Sequence, residues 1–238
     1  MRIGIEAQRI FRAKKHGMDI YALELIRELQ RIDTVNEYFI FVKSGPDKCL
    51  EETENFKIVE VPGITYADWE QISLPLTAQN YNLDYLHCTS NTAPVLSKIP
   101  LVITLHDIIY LNQGFGGGSL YQKLGHYYRK WIVPKIFKKA QNVLTVSRFE
   151  KAHIDEYFGD TGKVEVIYNG VSEKFRQPGE TLLDEIKTAL NLPEKYLFFL
   201  GNTAPKKNML GVLQAYSQYR AKTKEPLPLV LAESSKED

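Results

Sequence analysis

The chain has 238 residues, 44% hydrophobic and 25% charged, with a formal net charge of +1. That length allows one large or two small domains with an ample core. The near-zero charge supplies no bulk attraction to nucleic acid, and no run reaches the roughly 18 apolar residues of a membrane-spanning helix. Cys49 and Cys88 have no metal-ligand spacing and fit a reducing compartment. The opening MRIGIEAQRI lacks the apolar core of a signal peptide, so a cytoplasmic location is expected.

Arg2–Ala7 predicts a first strand, followed by the polar loop Gln8–Met18, which contains Gly17. Asp19 is placed to cap the next helix, in which Ala22, Leu25, Ile26, Leu29 and Ile32 share one face. Tyr38–Val42 and Lys57–Val61 predict short strands, and Tyr66–Tyr81 a helix that Pro75 should kink or interrupt. Asp84–Cys88 predicts a strand ending in the polar loop Thr89–Thr92. Leu101–Leu105 is an unbroken apolar and β-branched run, which suits a strand buried on both faces, and it leads into His106 and Asp107. Ligands of open α/β sheets bind outside the carboxyl ends of the strands, where this pair falls. A polar strand end with an incidental histidine is the plain alternative.

The Gly-rich Phe115–Ser119 introduces a helical stretch, Leu120–Ala140, interrupted by Pro134. Asn142–Val146 and Val164–Tyr168 predict strands around the helix Arg148–Phe158, with a turn at Asn169–Gly170. Strands alternating with helices predict parallel βαβ units in a doubly wound sheet. Ser172–Glu180 reads as a linker, then Thr181–Leu190 as a helix and Tyr196–Leu200 as a second buried strand. The strand opens into Gly201–Asn208, GNTAPKKN, ahead of a helix in which Met209, Val212, Leu213 and Tyr216 share a face. Leu227–Ala232 predicts one more strand. Two strands do not make an independently stable sheet, so a second domain begins here and is incomplete.

Two stretches suit anion binding. Gly201–Asn208 combines Lys206 and Lys207 with a helix N-terminus, whose unpaired N–H groups and dipole favour negative charge. The Gly17 loop lacks GxGxxG, which excludes a dinucleotide fingerprint but not a close backbone approach to phosphate or sugar. No Walker loop is present.

Taken in order, MRIGIEAQRI with its Gly17 loop, LVITLHDIIYL, VLTVSRFEKAHI, VEVIYNGVSEKF and FLGNTAPKKNMLGVLQAY resemble the retaining GT-B glycosyltransferases of glycosyltransferase family 4. The resemblance implies an α/β fold of GT-B type. It places an N-terminal acceptor-side Rossmann-like domain at 1–175, a linker and helix at 176–192, and the incomplete start of a nucleotide-sugar-binding domain at 193–238. It implies that His106 is the cleft histidine that acts on the donor sugar, and that Gly17, Asp107, Asn202, Lys206 and Lys207 bind substrate. Asn202 stands where many members carry Arg. It also implies a C-terminally truncated chain and transfer from a nucleotide-sugar donor to a glycan or lipid-linked acceptor with retention, in surface polysaccharide synthesis. No cofactor and no metal are expected, and no DxD motif is present. A truncated, non-catalytic binding module is the alternative.

From Ile108 to Phe149 there is no Asp or Glu, while Lys123, Arg129, Lys130, Lys135, Lys138 and Lys139 interleave with Tyr121, Tyr127, Tyr128, Trp131 and Phe137. Such a stretch fits peripheral contact of Tyr121–Lys139 with an anionic membrane, or a surface helix with its aromatics packed inward. No nucleic-acid-reading motif occurs.

Overall fold

The apolar runs become strands. In the computed structural model, which describes residues 1–112, 120–172, 175, 179–201 and 208–233, two units separate at Ser172 and Glu173. The first contains β1 (Arg2–Glu6), β2 (Glu37–Val42), β3 (Phe56–Glu60), β4 (Tyr85–Cys88), β5 (Leu101–Leu105), β6 (Asn142–Thr145) and β7 (Val164–Val166). They form a seven-stranded sheet in the order β3-β2-β1-β4-β5-β6-β7. Every neighbouring pair is parallel. The chain moves outward from β1 to β3 and then returns to lay β4 on the other edge of β1. The reversal between β1 and β4 is the topological switch point, outside whose carboxyl ends a ligand crevice forms.

Both faces of the sheet are covered. On β2, Tyr38, Ile40 and Val42 join Ile5 and the helical residues Ala22, Leu23 and Ile26 in one core. The alternate residues Phe39 and Phe41 join Trp69, Leu74, Ile132, Val133 and Ile136 in the other. At Gly4 a Cβ would meet Leu83 Cδ1 at 2.6 Å and Phe41 Cε2 at 2.9 Å. Gly4→Val is therefore expected to overpack this face and cost about 1–3 kcal/mol, read as a lower urea midpoint by circular dichroism.

The first helix, α1 (Gly17–Ile32), corrects the sequence reading at both ends. Its N-cap is His16, and Asp19 lies three residues inside, where its carboxylate accepts the His16 N–H at 2.7 Å. Leu23 is buried and Ile32 is exposed, so the packed stripe is centred on Ala22, Leu23 and Ile26. The Tyr66–Tyr81 stretch is broken, as Pro75 requires. It runs as α2 (Tyr66–Asp68), a π turn (Trp69–Ser73), α3 (Leu74–Ala78) and a 3-10 turn (Gln79–Tyr81). Proline offers no N–H, and the wider turn before it absorbs the missing bond.

After β5 come α4 (Ile109–Asn112) and α5 (Leu120–Lys139). The expected interruption at Pro134 does not occur: α5 continues through it. The buried Ile132, Val133, Ile136 and Phe137 anchor the helix on both sides of the proline, and their packing outweighs the lost backbone bond. The stretch Phe115–Ser119 lies outside the described residues. The helix α6 (Arg148–Phe158) connects β6 to β7.

The second unit contains α7 (Glu180–Ala189), β8 (Leu197–Gly201), α8 (Met209–Lys222) and β9 (Leu229–Glu233). β8 and β9 pair in parallel, Leu197 opposite Leu229. The strand read as buried is exposed here: Phe198 is 60% and Leu200 72% accessible. An apolar run is buried only when other layers cover it, and a two-stranded ribbon supplies few. Leu210 and Leu213 of α8 are likewise exposed.

Candidate functional site

Three chain segments meet at the carboxyl edge of the sheet beside the switch point. The first follows β1. Glu6 is 1% exposed, and its carboxylate accepts the Gln8 N–H at 3.0 Å. Burial pushes this carboxyl up, while the Gln8 N–H and the charge of Arg9 pull it down. Ile10 and Phe11 plug the loop into the core. Arg9 pairs with the buried Asp19 at 3.2 Å, and Arg12 pairs with the same carboxylate. Loop and helix start are thereby clamped together. Gly17 opens the helix with nothing within 4 Å of a Cβ placed there, so open space lies over the first turn of α1.

The second segment follows β4. Thr89, Ser90, Asn91 and Thr92 are all buried. The Thr89 hydroxyl donates to the Glu6 carbonyl at 2.9 Å, which ties the two strand ends. Asn91 adopts φ +67, a left-handed conformation that asparagine tolerates better than most residues.

The third segment is His106, placed by β5 at its carboxyl end. Its backbone N–H donates to Asn91 Oδ1 at 2.6 Å. Its Nε2 lies 2.9 Å from the Thr89 carbonyl, and Tyr21 of α1 packs edge-on against the ring at 4.7 Å. A carbonyl only accepts, so Nε2 carries the proton and Nδ1 is the acceptor of the neutral ring. Burial holds the His106 pKa below the ordinary histidine value, against the opposing pull of the Thr89 carbonyl and Asp107. The neighbouring His87 is brought down to about 4 by burial and by His106. Asp107 follows directly, and the next N–H, that of Ile108, donates to Glu150 Oε1 at 2.8 Å. Glu150 itself sits in the first turn of α6, whose cap Ser147 accepts the Glu150 N–H at 3.0 Å.

This is a rigid edge: a helix N-terminus, two arginines and a neutral histidine with a fixed tautomer, all at the switch point of a parallel sheet. Residues 16–175 match the family model for glycosyltransferase family 4. The chain belongs to glycosyltransferase family 4. No curated protein matches it. Among solved structures, Alr3699/HepE of Anabaena, in complex with UDP and glucose, aligns with a TM-score of 0.64 at 16% identity over 99% of this chain and 62% of that one. WaaG, a glycosyltransferase involved in lipopolysaccharide biosynthesis, aligns with a TM-score of 0.64 at 11% identity over 97% and 62%. A glycosyltransferase from Rickettsia africae ESF-5 aligns with a TM-score of 0.53 at 16% identity over 99% and 68%. The shared fold is the α/β fold of GT-B type. This family 4 chain spans about 62% of the length of the first two structures.

Of the residues singled out in the sequence, His106, Asp107 and Gly17 belong to the first unit, and Tyr21 links the His106 ring to the helix that Gly17 begins. Asn202, Lys206 and Lys207 lie outside the described residues. Asn208 occupies the N-cap of α8, but its side chain makes no cap hydrogen bond. Among the described residues no group of three or more His, Cys, Asp or Glu could hold a metal ion, and no helix is long and apolar enough to cross a membrane.

Sequence reasoning missed a second polar centre behind the edge. Glu70, on the π turn, is fully buried. It accepts hydrogen bonds from Tyr66 Oη and Gln71 Nε2, both at 2.8 Å, and from Thr92 and Tyr128. The Arg9 guanidinium lies 5.3 Å over the Tyr66 ring. The network therefore runs from the β1 loop through Tyr66 and Glu70 to Thr92, next to Asn91. Arg9 and Arg12 were legible only as part of a polar loop.

Proposed function

We propose that the protein is part of a glycosyltransferase that moves a hexosyl group from a nucleotide-sugar donor to a glycan or lipid-linked acceptor, with retention, in surface polysaccharide synthesis. The observation that carries this reading is the position of His106 at the switch-point edge of a family 4 chain. The UDP and glucose bound to HepE and the lipopolysaccharide role of WaaG support the donor class and the pathway type. The two thiols, Cys49 and Cys88, fit the reducing cytoplasm.

In the reaction the acceptor oxygen bonds to the anomeric carbon as the sugar–phosphate bond breaks. The nucleoside diphosphate leaves with that electron pair and takes up the acceptor proton on the same face. Negative charge grows on the diphosphate, and fixed positive groups act more strongly there than on the ground state. The start of α1 and the Arg9–Arg12 loop offer such groups in the first unit. On this reading the transfer needs no divalent metal. His106 accepts a sugar hydroxyl through Nδ1, and Asp107 biases its charge.

Release of nucleoside diphosphate from a panel of UDP- and GDP-sugars, with lipid-linked and soluble glycan acceptors, tests the reading. Turnover with one donor class is expected without divalent metal, with the anomeric configuration kept by NMR. Lys206→Ala with Lys207→Ala is expected to raise KM for the donor by about tenfold or more. Release that never exceeds the acceptor-free control would overturn the proposal.

A further inference from the structure

The helix α5 is apolar on two opposite faces. Its inner face packs Ile132, Val133, Ile136 and Phe137 into the core, with Tyr128 against it. Its outer face carries Leu120, Leu124, Tyr127 and Trp131, which are 73%, 61%, 55% and 59% exposed. At about 100° per residue these four fall within about 60° of one another, so they form one ridge. A helix with a single packing partner shows charge on the side away from it. Here the charge is displaced to the flanks: Lys123 and Lys130 on one side, Lys135 on the other, and Lys138 at the end of the ridge, all exposed. The Lys135 ammonium lies 3.3 Å over the Trp131 ring. The stretch Ile108–Phe149 holds no acidic residue that would repel an anionic surface.

We infer that the outer ridge of α5 is a docking surface for an anionic lipid bilayer, with Leu120, Leu124, Tyr127 and Trp131 entering the interface and Lys123, Lys130, Lys135 and Lys138 contacting lipid phosphates. A straight apolar ridge between two lines of lysines matches the boundary between acyl chains and headgroups, where Trp and Tyr bury a ring and keep a polar edge wet. A second copy of the chain docked on the ridge would set lysines against lysines. The docking is independent of the transfer reaction, because vesicle binding needs neither donor nor acceptor.

Trp131 reports on it directly. Trp69, the other tryptophan, is fully buried, so a shift in emission on lipid addition comes from Trp131. Mixed phosphatidylcholine–phosphatidylglycerol vesicles are expected to sediment the protein and shift its emission to the blue, and pure phosphatidylcholine to do neither. Lys123→Gln and Lys130→Gln should each weaken binding about fivefold, and added salt should weaken it further. Leu124→Ser should abolish the blue shift with an unchanged far-ultraviolet circular dichroism spectrum, since the residue lies outside the core. Equal binding to neutral vesicles, no binding to anionic ones, or a dimer that Leu124→Ser dissociates would each overturn the inference.

Discussion

His106→Ala is expected to lower nucleoside diphosphate release by about 10- to 100-fold, the scale of one buried hydrogen bond lost in the transition state. The imidazole has two jobs that one further variant separates. Nε2 donates to the Thr89 carbonyl and fixes the ring, and in the proposed reaction Nδ1 is the acceptor offered to the sugar. In His106→Gln the side-chain amide reaches the Nε2 position and keeps the bond to Thr89, but nothing replaces Nδ1. His106→Gln should thus keep its thermal midpoint and still lose turnover. A glutamine variant with wild-type turnover would make His106 a positioning residue only.

The same geometry sets a pH signature. Burial holds the folded His106 pKa below its ordinary value near 6.5, and His87 at about 4. In the proposed reaction the neutral ring is the working form, so the acidic limb of kcat/KM should fall below pH 6.5. Stability runs in the same direction. The unfolded chain binds protons first, so the contribution of these histidines is present above about 6.5 and is lost as pH falls through their folded values. A thermal midpoint followed from pH 7.5 to pH 5 should decline, and less so in His106→Gln.

What could be read in the sequence was local. Leu101–Leu105 is apolar because helices cover both faces of the sheet, and that cause leaves a trace in five consecutive residues. The end of the strand, and so His106, came with it. Glu70 left no such trace. Its partners Thr92 and Tyr128 are 22 and 58 residues away, and within its own segment it reads as an ordinary polar position. Arg9 and Arg12 acquire meaning only when Asp19 gathers them. Pro134 shows the reverse, a strong local signal overruled by four buried side chains on the same helix. The exposed strand β8 shows a third case, in which an apolar composition does not by itself bury a segment: Phe198 and Leu200 stay accessible among the described residues.

Glu70→Ala is the variant that should damage the first unit most. It deletes the acceptor for Tyr66, Gln71, Thr92 and Tyr128 inside a water-excluded core. Unsatisfied buried donors cost about 1–3 kcal/mol each before they find new partners, so a net loss of roughly 2–4 kcal/mol is expected in chemical denaturation. Thr92 adjoins Asn91, which holds the His106 N–H, so turnover of the folded fraction should fall as well. Glu70→Gln separates the causes. Its amide fills the same volume, and the surrounding hydroxyls rotate to accept from its NH2 group, so most of the stability and turnover should return. Burial raises the Glu70 carboxyl above its ordinary value, against the hydrogen bonds from Thr92, Tyr128 and Tyr66. The folded state therefore keeps this proton longer than the unfolded chain. Its contribution to stability is full below about pH 4.5 and declines as pH rises through the folded value. Glu70→Gln cannot titrate, so its stability relative to wild type should improve as pH is raised from about 4.5 towards neutrality. If the two curves stay parallel over that range, Glu70 folds as an ordinary carboxylate and the network is held by hydrogen bonds alone.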